Sequence, residues 1–113
     1  MRSTRTPRGV LEVHALRLAR HDRAFEEAMA LGNMQAARAA LQMLVGELRE
    51  TLYAAHREPS FEARARLRQA LTPAVNEVIE AAARLNDGTD DDPLLRCANS
   101  LLQLVRPLPR WAA

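Results

Sequence analysis

The chain has 113 residues, which is the size of a single domain. Its formal charge of +2 excludes a strongly charged protein. Aromatic residues make up only 4%. Abundant Ala with few β-branched residues favours helices over strands. No stretch approaches the ~18 apolar residues of a membrane span. The first residues lack the apolar segment of a secretory signal, so a cytoplasmic protein is expected.

The first predicted helix follows a short basic arm. Residues 1–8 combine Ser, Thr and Pro with three Arg, and we expect this arm to be disordered. A helix is predicted from about Gly9 to Leu31, because apolar side chains and two histidines fall on one face. These are Leu11, His14, Leu18, His21, Phe25 and Ala28. Gly32 is typical of a helix end and Asn33 of a helix start, so the first two helices are predicted to be antiparallel neighbours.

The second predicted helix, residues 33–57, has the longest apolar stripe in the chain, interrupted only by Thr51. The stripe consists of Met34, Ala37, Leu41, Leu44, Leu48 and Ala55. Gly46 lies in mid-helix, where it costs up to ~1 kcal/mol relative to Ala. We expect another helix backbone to approach it closely.

Two more helices complete the predicted fold. Ser60 caps a third helix that reaches about Leu85. Pro73 inside it leaves two outcomes open: a kink, or a break in which Thr72 becomes a new N-cap. The apolar pattern crosses Pro73 without a phase shift, which favours a kink or a very tight break. Asp92-Pro93 predicts the start of a fourth helix that ends at about Arg106.

The resulting prediction is an all-α protein. It has a basic arm (1–8), an antiparallel four-helix bundle domain (9–106) and a Pro/Trp tail (107–113) that contains the only Trp, Trp111.

Catalytic, cofactor-binding and metal-binding patterns are not found. His14 and His21 lie two helical turns apart, about 10 Å, which is too far for one ion. The acidic loop 87–92 lacks the alternating order of a calcium loop and is explained by helix capping. Cys97 has no sequence context of an activated thiol and is expected to be a small buried hydrophobe. A non-enzymatic protein without a cofactor or a small-molecule substrate is therefore expected.

The mismatch between helix lengths indicates a binding surface. The fourth helix, at about 21 Å, cannot cover the second, at about 36 Å. The uncovered apolar stripe would then face solvent, a second copy or another protein, so a protein partner or a homo-oligomer is expected. Four apolar side chains are candidates for binding the partner: Met29, Met34, Met43 and Trp111. The alternatives are that the methionines fill the core and that the Trp111 tail folds back onto the bundle.

Nucleic-acid binding is the alternative function. Six arginines of the arm and first helix would contact phosphates: Arg2, Arg5, Arg8, Arg17, Arg20 and Arg23. Acidic residues among and just after them (Glu12, Asp22, Glu26 and Glu27) dilute that basic field. No helix-turn-helix pattern is present.

The hairpin formed by the first two predicted helices resembles that of a known class of protein. With Gly-Asn at the start of its long helix, the segment 28–58 resembles small flagellar or type III export chaperones in architecture. No functional residue is carried over from this resemblance. All sixteen basic residues are Arg, and together with the abundant Ala this usage is typical of GC-rich bacterial genes.

Overall fold

A computed structural model describes residues 7–86 and 92–106, with side chains from His14 onward. This part of the chain is all-helical, with no strand. The helices are α1 (Pro7–Ala30), α2 (Met34–His56), α3 (Phe61–Leu85), α4 (Pro93–Ser100) and α5 (Leu102–Val105). The all-α prediction is confirmed. Because α1 begins at Pro7, it includes residues 7 and 8 of the predicted arm, whose remainder lies outside the described residues.

The turn between α1 and α2 forms as its residue types dictate. Gly32 takes φ of +73°, the left-handed conformation that only glycine adopts without strain. The Asn33 and Gly32 amides donate to the carbonyls of Ala28 (2.9 Å) and Met29 (3.1 Å), a Schellman ending for α1. The Asn33 side chain then accepts from the Ala36 amide at 3.1 Å and caps α2. The predicted helix boundary is confirmed.

The starts of α3 and α4 also match their capping residues. The Ser60 hydroxyl accepts from the Ala63 amide at 3.2 Å. The Asp92 carboxylate accepts from the Leu94 amide at 3.0 Å, and Pro93 occupies the first helical position. Both starts were predicted from these residues.

Helix α3 runs without interruption through Pro73. The predicted alternative of a break there, with Thr72 as a new N-cap, is therefore wrong. The Thr72 hydroxyl instead donates to the Arg68 carbonyl at 2.7 Å, a bond within one continuous helix.

The predicted fourth helix is divided into two pieces. Helix α4 has eight residues and α5 has four, and they meet at Leu101. The buried residues of α4 are Leu94 and Ala98, and Leu101, directly after the helix, continues their stripe at a spacing of three residues. The single helix expected up to Arg106 is thus shorter and interrupted.

Helix α2 is the central helix of the fold. It contacts α1, α3, α4 and α5, whereas no Cα atom of α1 lies within 8 Å of one in α3. Eight of its residues are buried: Ala37, Leu41, Leu44, Val45, Leu48, Thr51, Leu52 and Ala55. Met34, predicted to begin this stripe, is 49% exposed because it is the first residue of α2.

The expectation of an uncovered stripe on α2 needs correction. Leu41 and Leu48 are fully buried within a single chain, at 0% exposure. Helices α1 and α3 flank this face of α2, so the short α4 is not required to cover it. What remains open is the space between α1 and α3.

Two expectations about single residues are also wrong. A Cβ atom built on Gly46 meets no atom within 4 Å, so no helix backbone approaches it. Cys97 is exposed rather than buried, because α4 packs through Leu94, Ala98 and Leu101 and Cys97 lies beside that stripe.

Candidate binding cleft

A cleft of about 420 Å³ separates α1 from α3, and α2 forms its floor. This volume is within the range of protein ligand sites. The floor is apolar and is formed by Leu41, Leu44 and Leu48. The walls also contain apolar residues: Leu18, Ala19 and Phe25 of α1 and Ala74, Val78 and Ala81 of α3. We call this site the α1–α3 cleft.

The cleft is narrow. Its floor residues Leu41 and Leu48 are inaccessible to solvent, and Phe25 and Val78 on the walls are also buried. The apolar surface that remains accessible is therefore on the walls, chiefly that of Leu18 and Ala19 on α1 and Ala74 on α3. Such a shape suits individual side chains of a binding partner rather than a broad flat apolar surface.

The rim of the cleft is acidic. Asp22 and Glu26 lie four residues apart on α1, and Glu77 and Glu80 lie three apart on α3, so each pair follows one edge of its helix. Arg84 is the one basic residue among those that line the cleft, so the formal charge of the rim is −3. Across residues 14–86 and 92–106, no ion pair includes any of the four carboxylates.

The predicted nucleic-acid residues lie on the other side of α1. Arg17, Arg20 and Arg23 are exposed. At ~100° per residue, their mean direction is roughly opposite to that of the residues lining the cleft. Helix α1 thus separates a basic edge from an acidic one. Arg2 and Arg5 lie outside the described residues, as does the side chain of Arg8.

The methionines predicted to bind a partner are not brought together. Met34 and Met43 are both exposed, but nine residues of helix place them about 13.5 Å apart along α2 and on opposite sides of it. Met29 is half-buried against the core. None of the three lines the α1–α3 cleft. Trp111 lies outside the described residues.

The two predicted histidines of α1 are half-buried. His14 Nδ1 donates to Glu47 Oε2 at 2.6 Å, and this bond ties α1 to α2. Arg17 Nη1 lies 4.0 Å from the same carboxylate oxygen. Within residues 14–86 and 92–106, no group of three His, Cys, Asp or Glu side chains is placed to hold a metal ion.

Three polar contacts fasten α4 and α5 to the other side of α2. Arg38 donates to both carboxylate oxygens of Asp92. The Arg49 guanidinium lies 3.5 Å from the Ser100 hydroxyl, and His56 Nε2 donates to the Leu104 carbonyl at 2.7 Å. A smaller crevice of about 250 Å³ remains between α2 and α4 beside Gly46.

Asp92 combines two roles. Its residue is buried, yet the Arg38 guanidinium bound to it holds the pKa of its carboxyl below the usual value. Burial acts in the opposite direction, and the Leu94 amide adds to the effect of Arg38. Sequence reasoning found the cap but missed the pair with Arg38, since no local pattern joins residues so far apart.

Comparison with known protein families, with curated proteins and with solved structures finds no match to this chain. None of the helices described combines the length and the apolar character that crossing a membrane demands.

Proposed function

We propose that this protein is a non-enzymatic helical adaptor of the bacterial cytoplasm that binds another protein through the α1–α3 cleft. The observation that carries the proposal is the separation of α1 from α3 above an apolar floor. The residues lining this cleft offer apolar contacts and fixed charges, which are the means by which proteins recognise one another.

The size of the cleft supports a protein partner. A volume of about 420 Å³ is large enough for apolar side chains, and buried pockets that receive such anchors supply most of the affinity of protein interfaces. Ala19, Ala74 and Ala81 keep the walls short, so an incoming side chain meets little steric obstruction. The exposed methionines Met34 and Met43 are outside this proposal.

An antiparallel order of the helices, with a bend in α3 at Pro73, completes the proposed architecture. The hydrogen bond from His14 to Glu47 joins residues on either side of the Gly32 turn, as in a hairpin. Three residues of α2 contact three residues near α4 and α5 in the same chain order: Arg38 with Asp92, Arg49 with Ser100, and His56 with Leu104. This order is expected if α4 and α5 run along α2 in the same direction. Proline in a helix interior is the usual cause of a bend.

The test closes the cleft and leaves the rest of the surface unchanged. Ala19 is exposed on the wall of the cleft, so Ala19→Trp should fill the gap without disturbing the core. Ala24→Trp adds the same side chain to an exposed position of α1 outside the cleft. Cross-linking in the native host should capture a protein with the wild type and with Ala24→Trp, and lose it with Ala19→Trp. Equal capture by all three would reject the cleft as the binding site.

Nucleic-acid binding remains the second candidate, supported by the exposed edge of Arg17, Arg20 and Arg23. Glu27 lies one turn after Arg23 on that edge and weakens its positive field. Phosphate contacts are strongest at low salt. If mixed DNA and RNA pools fail to bind even at ~50 mM salt, this candidate is rejected.

A further inference from the structure

We infer that the α1–α3 cleft takes an amphipathic helix of another protein, one that inserts two apolar side chains between flanking Arg or Lys residues. This inference rests on the proposed function and specifies its partner. It is carried by the length of the cleft, its narrow apolar floor and the acidic pair on each wall.

The dimensions of the cleft match a short stretch of helix. On α1 the lining residues extend from Leu18 to Glu26, which is about 12 Å at 1.5 Å per residue. On α3 they extend from Ala74 to Arg84, about 15 Å. Two to three turns of an incoming helix, at ~5.4 Å per turn, cover this length.

The narrowness of the floor limits what enters it. Since Leu41 and Leu48 are already fully buried, the floor offers too little surface for a whole helix face. Side chains three or four residues apart on the partner project in the same direction, so two of them enter the gap between the walls together. The partner backbone then lies level with the carboxylates of the rim.

The rim selects the charge of the partner. Asp22 and Glu26 lie along one wall, and Glu77 and Glu80 along the other. A helix lying between them therefore meets negative charge on both flanks. Arg or Lys on either side of its apolar pair would bind these carboxylates, whereas Glu or Asp there would be repelled.

A second copy of this chain does not fit the site equally well. The basic edge of α1 (Arg17, Arg20 and Arg23) has one exposed leucine, Leu16. It therefore has the basic residues but only one of the two apolar side chains that the cleft requires. That edge and the cleft lie on opposite sides of α1. Contact between copies would therefore run head to tail without closing into a dimer. Such contacts would build a ring or a filament rather than a two-fold dimer, so we assign the complementary helix to a different protein.

The probe is a fluorescent alanine-based peptide of roughly 18 residues, long enough to be helical in water. It has two Leu four residues apart with Arg on both flanks. One control peptide has the same composition with the Leu residues moved to opposite faces, and a second has Glu in place of Arg. Fluorescence anisotropy with the full chain should detect binding of the first peptide only. That binding should weaken as salt is raised.

Matched variants test each part of the inference. Glu77→Gln with Glu80→Gln should weaken binding about three- to tenfold, as expected for two exposed ion pairs. Glu50→Gln with Glu62→Gln removes the same charge from exposed positions outside the cleft and should leave binding unchanged. Ala19→Trp should abolish binding and Ala24→Trp should preserve it. Circular dichroism melts establish that each variant is folded.

Three results would overturn the inference. Equal binding of the Glu-flanked peptide would refute the charge requirement. The proposed function would still hold in that case if Ala19→Trp loses the cross-linked protein in the native host. Peptide binding only after removal of residues 107–113 would assign the cleft to the tail of this chain. Self-association that Ala19→Trp abolishes, measured by light scattering, would assign it to a second copy.

Discussion

The guanidinium of Arg38 and the carboxylate of Asp92, 54 residues apart in sequence, form a two-pronged pair between α2 and the start of α4. The same carboxylate accepts from the Leu94 amide as the N-cap of α4. One buried side chain therefore holds α4 to the central helix and sets where α4 begins. From the sequence, Asp92 is explained by helix capping alone, but in the structure this residue also makes a long-range contact with Arg38.

The charge pair can be separated from the cap. Asn is as good an N-cap as Asp, so Asp92→Asn preserves the cap and removes the negative charge. We expect the melting temperature to fall by a few degrees, because Arg38 then lacks its carboxylate partner. In an Arg38→Gln background the same substitution should have a clearly smaller effect. Asp22→Asn, at the exposed rim, is the control, and a loss equal to that of Asp92→Asn would contradict the assignment.

Stability should also depend on pH through Asp92. Because Arg38 holds the folded-state pKa of this carboxyl below its ordinary value of 3.8, the unfolded chain binds its proton first as the pH falls. The stabilisation is thus complete above about pH 4 and is lost as the pH falls through the folded-state pKa. Urea unfolding from about pH 6 to about pH 2 should show the difference between wild type and Arg38→Gln shrinking toward low pH. A difference that grows on acidification would contradict this sign.

Much of the fold was predictable because its signals are local. A helix start needs one side chain within three residues of an amide, as at Asn33, Ser60 and Asp92. The predicted apolar stripe of α2 is buried except for Met34, and Val45, Thr51 and Leu52 beside it are buried as well. Cys97 was misplaced because α4 buries a narrow stripe that its neighbours Leu94 and Ala98 already fill.

The cleft was not predictable in the same way. Its acidic rim is formed by Asp22 and Glu26 on one helix and by Glu77 and Glu80 on another, more than fifty residues away. Each pair by itself is typical of any solvated helix edge. Only the three-dimensional arrangement, with α1 and α3 on either side of α2, places the two edges across a common apolar floor.

Gly46, inside α2, and Gly32, in the turn before it, should respond oppositely to substitution by Ala. Gly46 is helical, and a methyl group added there meets open space, so Gly46→Ala should stabilise the protein by up to about 1 kcal/mol. Gly32 has φ of +73°, so Gly32→Ala should destabilise it by roughly 1 kcal/mol. Denaturant unfolding measures both. Loss of stability in Gly46→Ala would mean that another chain approaches this position.

Leu48 is fully buried in the core beneath α1 and α3. Truncation to Ala removes apolar contacts and leaves a cavity, so Leu48→Ala should cost about 2–5 kcal/mol. Leu16→Ala is the matched control, since Leu16 is 72% exposed and its truncation should change stability by less than about 0.5 kcal/mol. Similar losses for both would mean that Leu48 does not lie in the core.

Removing the proline from the interior of α3 should stabilise the protein. Pro73 lies in the helix interior and has no amide to donate to the carbonyl of Gln69, four residues earlier. Its ring is exposed, so Pro73→Ala loses no packing and should stabilise the protein by about 1–3 kcal/mol. Pro93→Ala is the control, because the first position of α4 has no such bond to restore and favours proline. Calorimetry should thus show a gain in stability for Pro73→Ala and none for Pro93→Ala. A loss there would mean that the core depends on the bend proposed for α3, and that straightening the helix pulls Val75 and Val78 away from α2.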